Sequence, residues 1–300
     1  DMYSAGSVLS EAYLNYAFGK TNVKVGRQFI GTPLLAGSGS RIIVQSFEGL
    51  TVVNTDLPQT TLTAAVVTKF AARTDGAGAP GKFDELSVEH DKAYTFLAVN
   101  KSIPNVTLTA QYLTIGDSGT AATDDGYKDI YLEIAYASKA GSFDYGLAAN
   151  YLNTNYDLST KDSGTMYGVM ANMGKGDLKG FIAYSVVGDD GSVVNGIGSA
   201  AQPMYAKGVS YFAGYYNDDS KSVSVDVNYN FKAIGLLAGA RYTDVKDDNA
   251  ASTADKFGIT DFYATYTVQQ LKGLSFGANY QSYSKDAEGR DIWFKVNYKF

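Results

Sequence analysis

The residues 222–231, SVSVDVNYNF, place Val223, Val225, Val227, Tyr229 and Phe231 on one set of alternate positions. Ser222, Ser224, Asp226, Asn228 and Asn230 fall on the other. Successive side chains of a strand point to opposite faces, so this stretch is a strand with one apolar and one polar face. The same period of two recurs in DFYATYTVQ (261–269), in DIYLEIAYA (129–137) and in the last ten residues, DIWFKVNYKF. This repetition constrains the fold more than any other feature of the chain. No run of about 18 apolar residues occurs, so no membrane-spanning helix is expected.

About fifteen such segments follow one another, near 9–18, 21–29, 47–55, 60–71, 92–101, 106–115, 127–137, 144–156, 166–174, 179–188, 221–231, 235–245, 259–270, 274–284 and 290–300. The connections alternate in length. Short ones include GKT (19–21), IPN (103–105) and LKG (271–273). Long ones span 30–46, 72–91, 116–126, 157–165, 189–220, 246–258 and 285–289. Short turns on one rim and long loops on the other describe an all-β, antiparallel, up-and-down transmembrane β-barrel. So many one-sided strands cannot share a single core of ordinary thickness, as a soluble sandwich would require. A closed barrel in lipid inverts the pattern. Its apolar face meets acyl chains, its polar face lines a wet lumen, and closure satisfies every backbone group. Tyr16, Phe18, Tyr151, Tyr229, Phe231, Tyr298 and Phe300 stand near strand ends, where interfacial aromatic girdles form. A soluble sandwich or a fibre subunit is the competing reading.

Direction follows from the end of the chain. If 290–300 runs towards the periplasmic rim, the first readable segment, 9–18, runs the same way. Even-stranded barrels begin with a strand running outward. An odd number of strands is therefore expected before residue 9 of the single barrel domain 1–300. One would make a total of roughly sixteen and three roughly eighteen.

Several functions are disfavoured. Without cysteine, disulfides and thiolate metal sites are excluded. A net charge of −6 argues against nucleic acid as a partner, which needs clustered cations. The single histidine, His90, lies in a polar loop, and no G-x-S-x-G elbow accompanies it. No enzymatic site, cofactor or metal is expected. GAGAPG (76–81) lacks the Lys-Ser/Thr of a phosphate loop. The acidic pairs Asp124/Asp125, Asp189/Asp190, Asp218/Asp219 and Asp247/Asp248 read as loop solubility, with divalent bridging to lipopolysaccharide as the sharper alternative.

Residues 10–51 carry Glu11, Ala12, Tyr13 and Leu14, then Gly26, Arg27 and Gln28, then Thr32, Pro33 and Leu34. Ser40, Arg41 and the run Phe47, Glu48, Gly49 and Leu50 follow. This run resembles the OprD-type porin family, and the Tyr-Lys-Phe ending is similar to that of campylobacter-type major outer-membrane porins. The resemblance implies eighteen strands, a Gram-negative outer-membrane location and passive diffusion of ions and small hydrophilic solutes. Small carboxylates moving past basic residues are the favoured class. It implies that the loops at 30–46 and 189–220 fold inward as the constriction. Implied partners are outer-membrane lipid, lipopolysaccharide, and the barrel-assembly machinery through the strand ending in Phe300. The assembly is a homotrimer or a monomer. On strand phase, Lys24, Arg241, Lys295 and Lys299 can face the lumen with Asp129, Glu133, Asp226, Asp261 and Asp291. Ser38, Ser40 and Arg41 sit on the first inward loop. Arg27 shares a phase with Val23 and Val25 unless a bulge resets the register. A surface-binding barrel with a closed lumen, an adhesin or receptor, is the other function class.

Overall fold

The computed structural model describes residues 6–39, 43–75, 79–86, 92–116, 126–158, 160–209, 216–248, 256–286 and 288–299. Sixteen strands are present among them. They are β1 (Ala12–Phe18), β2 (Thr21–Gln28), β3 (Ser46–Asn54), β4 (Thr60–Ala71), β5 (Phe83–Glu85), β6 (Ala93–Asn100), β7 (Val106–Ile115) and β8 (Tyr127–Ala140). The remainder are β9 (Phe143–Tyr156), β10 (Gly164–Lys175), β11 (Leu178–Val187), β12 (Ser220–Phe231), β13 (Leu236–Asp247), β14 (Lys256–Thr267), β15 (Leu274–Lys285) and β16 (Gly289–Tyr298). All fifteen segments expected from alternation are strands, with ends moved by a few residues. The addition is β5, three residues that pair with the far end of β4. Every other neighbour is the next strand in sequence, from β1 to β16. Residues form two compact units, one comprising 1–134, 150–165 and 193–203, the other 135–149, 166–192 and 204–300.

Alternation is realised with its usual burial inverted. On β12, Val223, Val225 and Val227 are 40%, 49% and 51% exposed, while Ser222, Ser224 and Asp226 are almost fully buried. Tyr94 and Phe96 are exposed on β6, and Thr95 between them is buried. An aqueous globule would exchange these roles. Two-residue connections such as Gly141–Ser142 and Gly176–Asp177 join the short rim, and both glycines have φ near +60°. That left-handed conformation is nearly free for glycine and costly with a Cβ. At this rim Tyr16 packs on Phe18 and Tyr229 on Phe231, with ring centroids 5.8 and 4.7 Å apart. Phe300 lies outside the described residues.

The orientation of Arg27 is resolved by register. The β1–β2 and β2–β3 ladders run without a slip. The one irregularity nearby lies between β3 and β4, where Glu48 faces Lys69 and Gly49 faces Val67. The extra residue is therefore Thr68 on β4, and the phase of β2 is undisturbed. Arg27 stays on the face of Val25, and its Nε donates to Glu48 at 3.0 Å. Its guanidinium also covers the Phe83 ring of β5 at 4.3 Å.

Candidate functional site

The polar faces are covered by two stretches of loop. In the first unit, residues 30–39 leave β2 and lie against β6 and β7. Gln111 of β7 holds them. Its Oε1 accepts from the Leu34 amide at 3.0 Å, and its Nε2 donates to Thr32 and Thr95 hydroxyls at 2.8 and 2.9 Å. Leu34 and Leu35 are fully buried as a result.

Residues 193–203 of the long loop after β11 then pair with this stretch. Leu35 and Ile197 form a parallel bridge. The Ile197 amide donates to Leu34 O at 2.9 Å, and the Ala36 amide donates to Ile197 O at 3.0 Å. Gln45 closes the junction. Its Oε1 accepts from the amides of Ser38 and Ser199, and its Nε2 donates to the Ser199 hydroxyl at 3.0 Å. Arg73 donates to the same hydroxyl at 3.3 Å. The wall holds the other side of the segment. Thr154 of β9 accepts from the Val194 amide at 2.9 Å and donates to Asp129 at 2.6 Å, while Asn150 donates to Pro203 O.

In the second unit, residues 204–209 lie on the polar faces of β11 to β14. The Ala206 amide donates to Ser185, and Ser224 donates to Lys207 O. Arg241 is the central group. Its Nε donates to Asp226 at 3.0 Å, and its Nη1 donates to the carbonyls of Lys207 and Gly208 at 3.2 and 3.4 Å. Tyr263 donates to both Asp226 oxygens, and Asp261 accepts from the Val209 amide at 3.0 Å.

The half-buried Lys207 ammonium is pushed down to about 8, chiefly by burial and then by the Arg241 charge. A lysine with a depressed value binds fewer protons when docked than when free. Docking therefore strengthens as pH rises from about 8 towards the ordinary 10.5, and stays level at its weakest below 8, where the ammonium is protonated in both states. Protease cleavage after Tyr205 should fall across that window. Lys207→Met should make it pH-independent, and a flat wild-type profile would count against this placement.

The expected site residues divide by circumstance. Ser38 is buried in the Gln45 junction. Ser40 and Arg41 lie outside the described residues, as does His90. Lys24 stands 4.3 Å over the Tyr13 ring. Lys295 and Lys299 are exposed. Asp129 is buried beneath Thr154, and Glu133 accepts from the Tyr131 hydroxyl at 2.7 Å. Arg241 and Asp226, read separately from sequence, form one ion pair. Gln45, Gln111, Asn150, Thr154 and Ser199 carry the loops, and sequence reasoning missed them. Of the acidic pairs, Asp218 accepts from Ser192, Asp219 from Lys221, Asp247 from Asn217 and Asp248 from Lys246. Asp124 and Asp125 lie outside the described residues. Among the described residues no group of three or more potential metal ligands gathers.

The family model for an outer membrane porin of the OprD family matches residues 11–294. The chain belongs to the OprD family of outer-membrane porins. No curated protein sequence matches it. Solved structures share its fold at low identity. A BenF-like porin from Pseudomonas fluorescens Pf-5 aligns at 16% identity with a TM-score of 0.81, covering 95% of this chain and 76% of that one. OpdK from Pseudomonas aeruginosa, determined with vanillate, aligns at 18% identity and TM-score 0.79, covering 95% and 77%. OccAB2 from Acinetobacter baumannii aligns at 19% and 0.77, covering 95% and 75%. The porin is thus an outer-membrane β-barrel of a Gram-negative bacterium that mediates passive diffusion of small solutes. Its exposed apolar phase is the lipid face, and its polar phase is the lumen wall.

Proposed function

We propose that this porin favours small carboxylates, and that the stretches at 30–46 and 189–220 narrow its lumen. The observation that carries the first point is the unequal state of the wall charges. Asp226 is held by Arg241 and Tyr263, and Glu133 by Tyr131. Asp261 is held by the Val209 amide and Asn279, and Asp291 by Tyr283. A carboxylate already accepting such bonds offers little to a passing cation. None of Lys24, Lys295 and Lys299 forms an ion pair with a described carboxylate. The wall charges named here that are left without a hydrogen-bonding partner are these ammonium groups, and an inward turn of the first loop would add Arg41. Selection by charged rings needs no energy coupling.

Reversal potential in a salt gradient across a planar bilayer tests this reading. Anion preference is expected with chloride and should persist with acetate or benzoate. Lys24→Ala with Lys295→Ala should move the reversal potential towards neutrality. Cation preference in the wild type would sink the carboxylate reading, while stepwise openings would still stand for a channel.

A further inference from the structure

The lipid face of β12–β14 carries its cations at one level only. From Val223 to Phe231 on β12 the outward positions are Val223, Val225, Val227, Tyr229 and Phe231. That band extends about 27 Å along the strand at 3.4 Å per residue, enough for a tilted strand to cross the apolar layer. The band continues with Tyr242 on β13 and with Phe262, Tyr280 and Ile292, which share one level on β14 to β16, all exposed. One outward position beyond Val223 towards the long loops stands Lys221. It is in register with Lys246, and Lys246 is in register with Lys256. On β15 Lys285 faces Phe257, the residue after Lys256, and on β16 Arg290 faces Ser282, further into the band.

Three ammonium groups side by side on neighbouring strands repel one another, an arrangement that destabilises a sheet by itself. Carboxylates soften the cost. Asp219 accepts from Lys221 at 2.7 Å, Asp248 lies 3.8 Å from Lys221 and also meets Lys246, and Asp244 meets Lys285. These pairs stand at the open edge of the sheet, where water and salt screen them and leave little net attraction. A phosphate of charge near −2 can displace or bridge them. Neighbouring strands are about 4.8 Å apart, so the row is about 10 Å wide, the scale of a disaccharide.

We propose that Lys221, Lys246 and Lys256 form a binding site for the phosphorylated sugar of lipopolysaccharide, with its acyl chains on the apolar band below. The site rests on the outer-membrane placement of the family, which puts long loops and lipopolysaccharide on the same side. A free phosphate would use the row alone. An amphiphile uses the row and the band together, and the two are contiguous on this face.

Native mass spectrometry of the full chain in detergent tests the site with bisphosphorylated lipid A, the same lipid after phosphatase treatment, and phosphatidylglycerol. Wild type should bind the bisphosphorylated form at least tenfold more tightly than the other two. The triple variant K221Q/K246Q/K256Q should lose that margin. A control on the short rim, K179Q/K232Q/K272Q, should keep it. Equal binding by wild type and triple variant overturns the site, and so does phosphatidylglycerol bound as tightly as lipid A. Heat-modified gel mobility reports whether the triple variant is folded. If it is not, the single variants carry the same comparison. Conductance is read in parallel, so a silent bilayer with intact lipid binding would remove the channel reading and leave the lipid site standing.

Discussion

Replacing Gly196 and Gly198 with alanine should release residues 193–203 from residues 31–36 while leaving the sheet intact. Both glycines sit at φ near +90°, where a side chain is strained. A Cβ on Gly196 would lie 2.2 Å from Leu34 O, and one on Gly198 would lie 2.2 Å from Ala36 O. These carbonyls belong to the stretch that pairs with Ile197, so relief of the clash must open the pairing. A left-handed non-glycine residue costs roughly 1–2 kcal/mol, and overpacking adds roughly 1–3. Each substitution therefore shifts the docked equilibrium by roughly 30-fold or more. Two readouts separate the consequences. Faster protease cleavage between residues 193 and 203 would report undocking. Larger and noisier single-channel steps would report that this segment narrows the lumen. Unchanged cleavage would refute the docking argument. Faster cleavage with unchanged conductance would refute the constriction alone.

The strands were legible because each obeys a local rule that a reader can apply without partners. Period two needs only the residue and its neighbours, so β12 and β14 stand out by inspection. β5 escaped because three residues cannot display a period; it exists through pairing with β4. The polar phase was legible as a set of positions but not as a set of interactions. Arg241 and Asp226 are 15 residues apart and read as independent wall charges. The register of β12 on β13 sets them directly opposite. Gln111 looks like a hydrated wall residue from sequence, because nothing local reveals that Leu34, 77 positions away, brings its amide there. Gln45 is hidden for the same reason. Such side chains hold backbone groups of a loop whose path is set by the whole sheet. Glycines 196 and 198 did leave a trace, as a G-x-G in a loop with no helix after it. Close approach of two backbones is a known use of glycine, but the partner backbone is visible only in three dimensions.

Substituting Asp226 with alanine should be the most damaging single change on the lumen wall. Its carboxylate is 1% exposed and meets Arg241, itself 18% exposed, at 3.0 Å. Tyr263 donates to both of its oxygens, and Asn228 donates to one at 3.0 Å. Removing it leaves the Arg241 charge facing only the carbonyls of Lys207 and Gly208, with the Lys207 ammonium close by. Breaking a buried pair from one side costs about 3–5 kcal/mol, because the remaining charge stays uncompensated. Water in the lumen brings the expected loss towards about 3 kcal/mol. Removing both partners is milder, so D226A/R241L should be more stable than D226A. Asp226→Asn should fall between wild type and D226A, since it keeps an acceptor for Tyr263 but not the charge. Urea unfolding followed by gel mobility would order the four proteins. The double variant should nevertheless lose the 204–209 docking that Arg241 provides, and protease cleavage there should rise more in it than in D226A. If D226A/R241L proves less stable than D226A, the pair is not the coupled unit that the geometry describes. The wall would then owe its stability to Tyr263 and Asn228 rather than to charge.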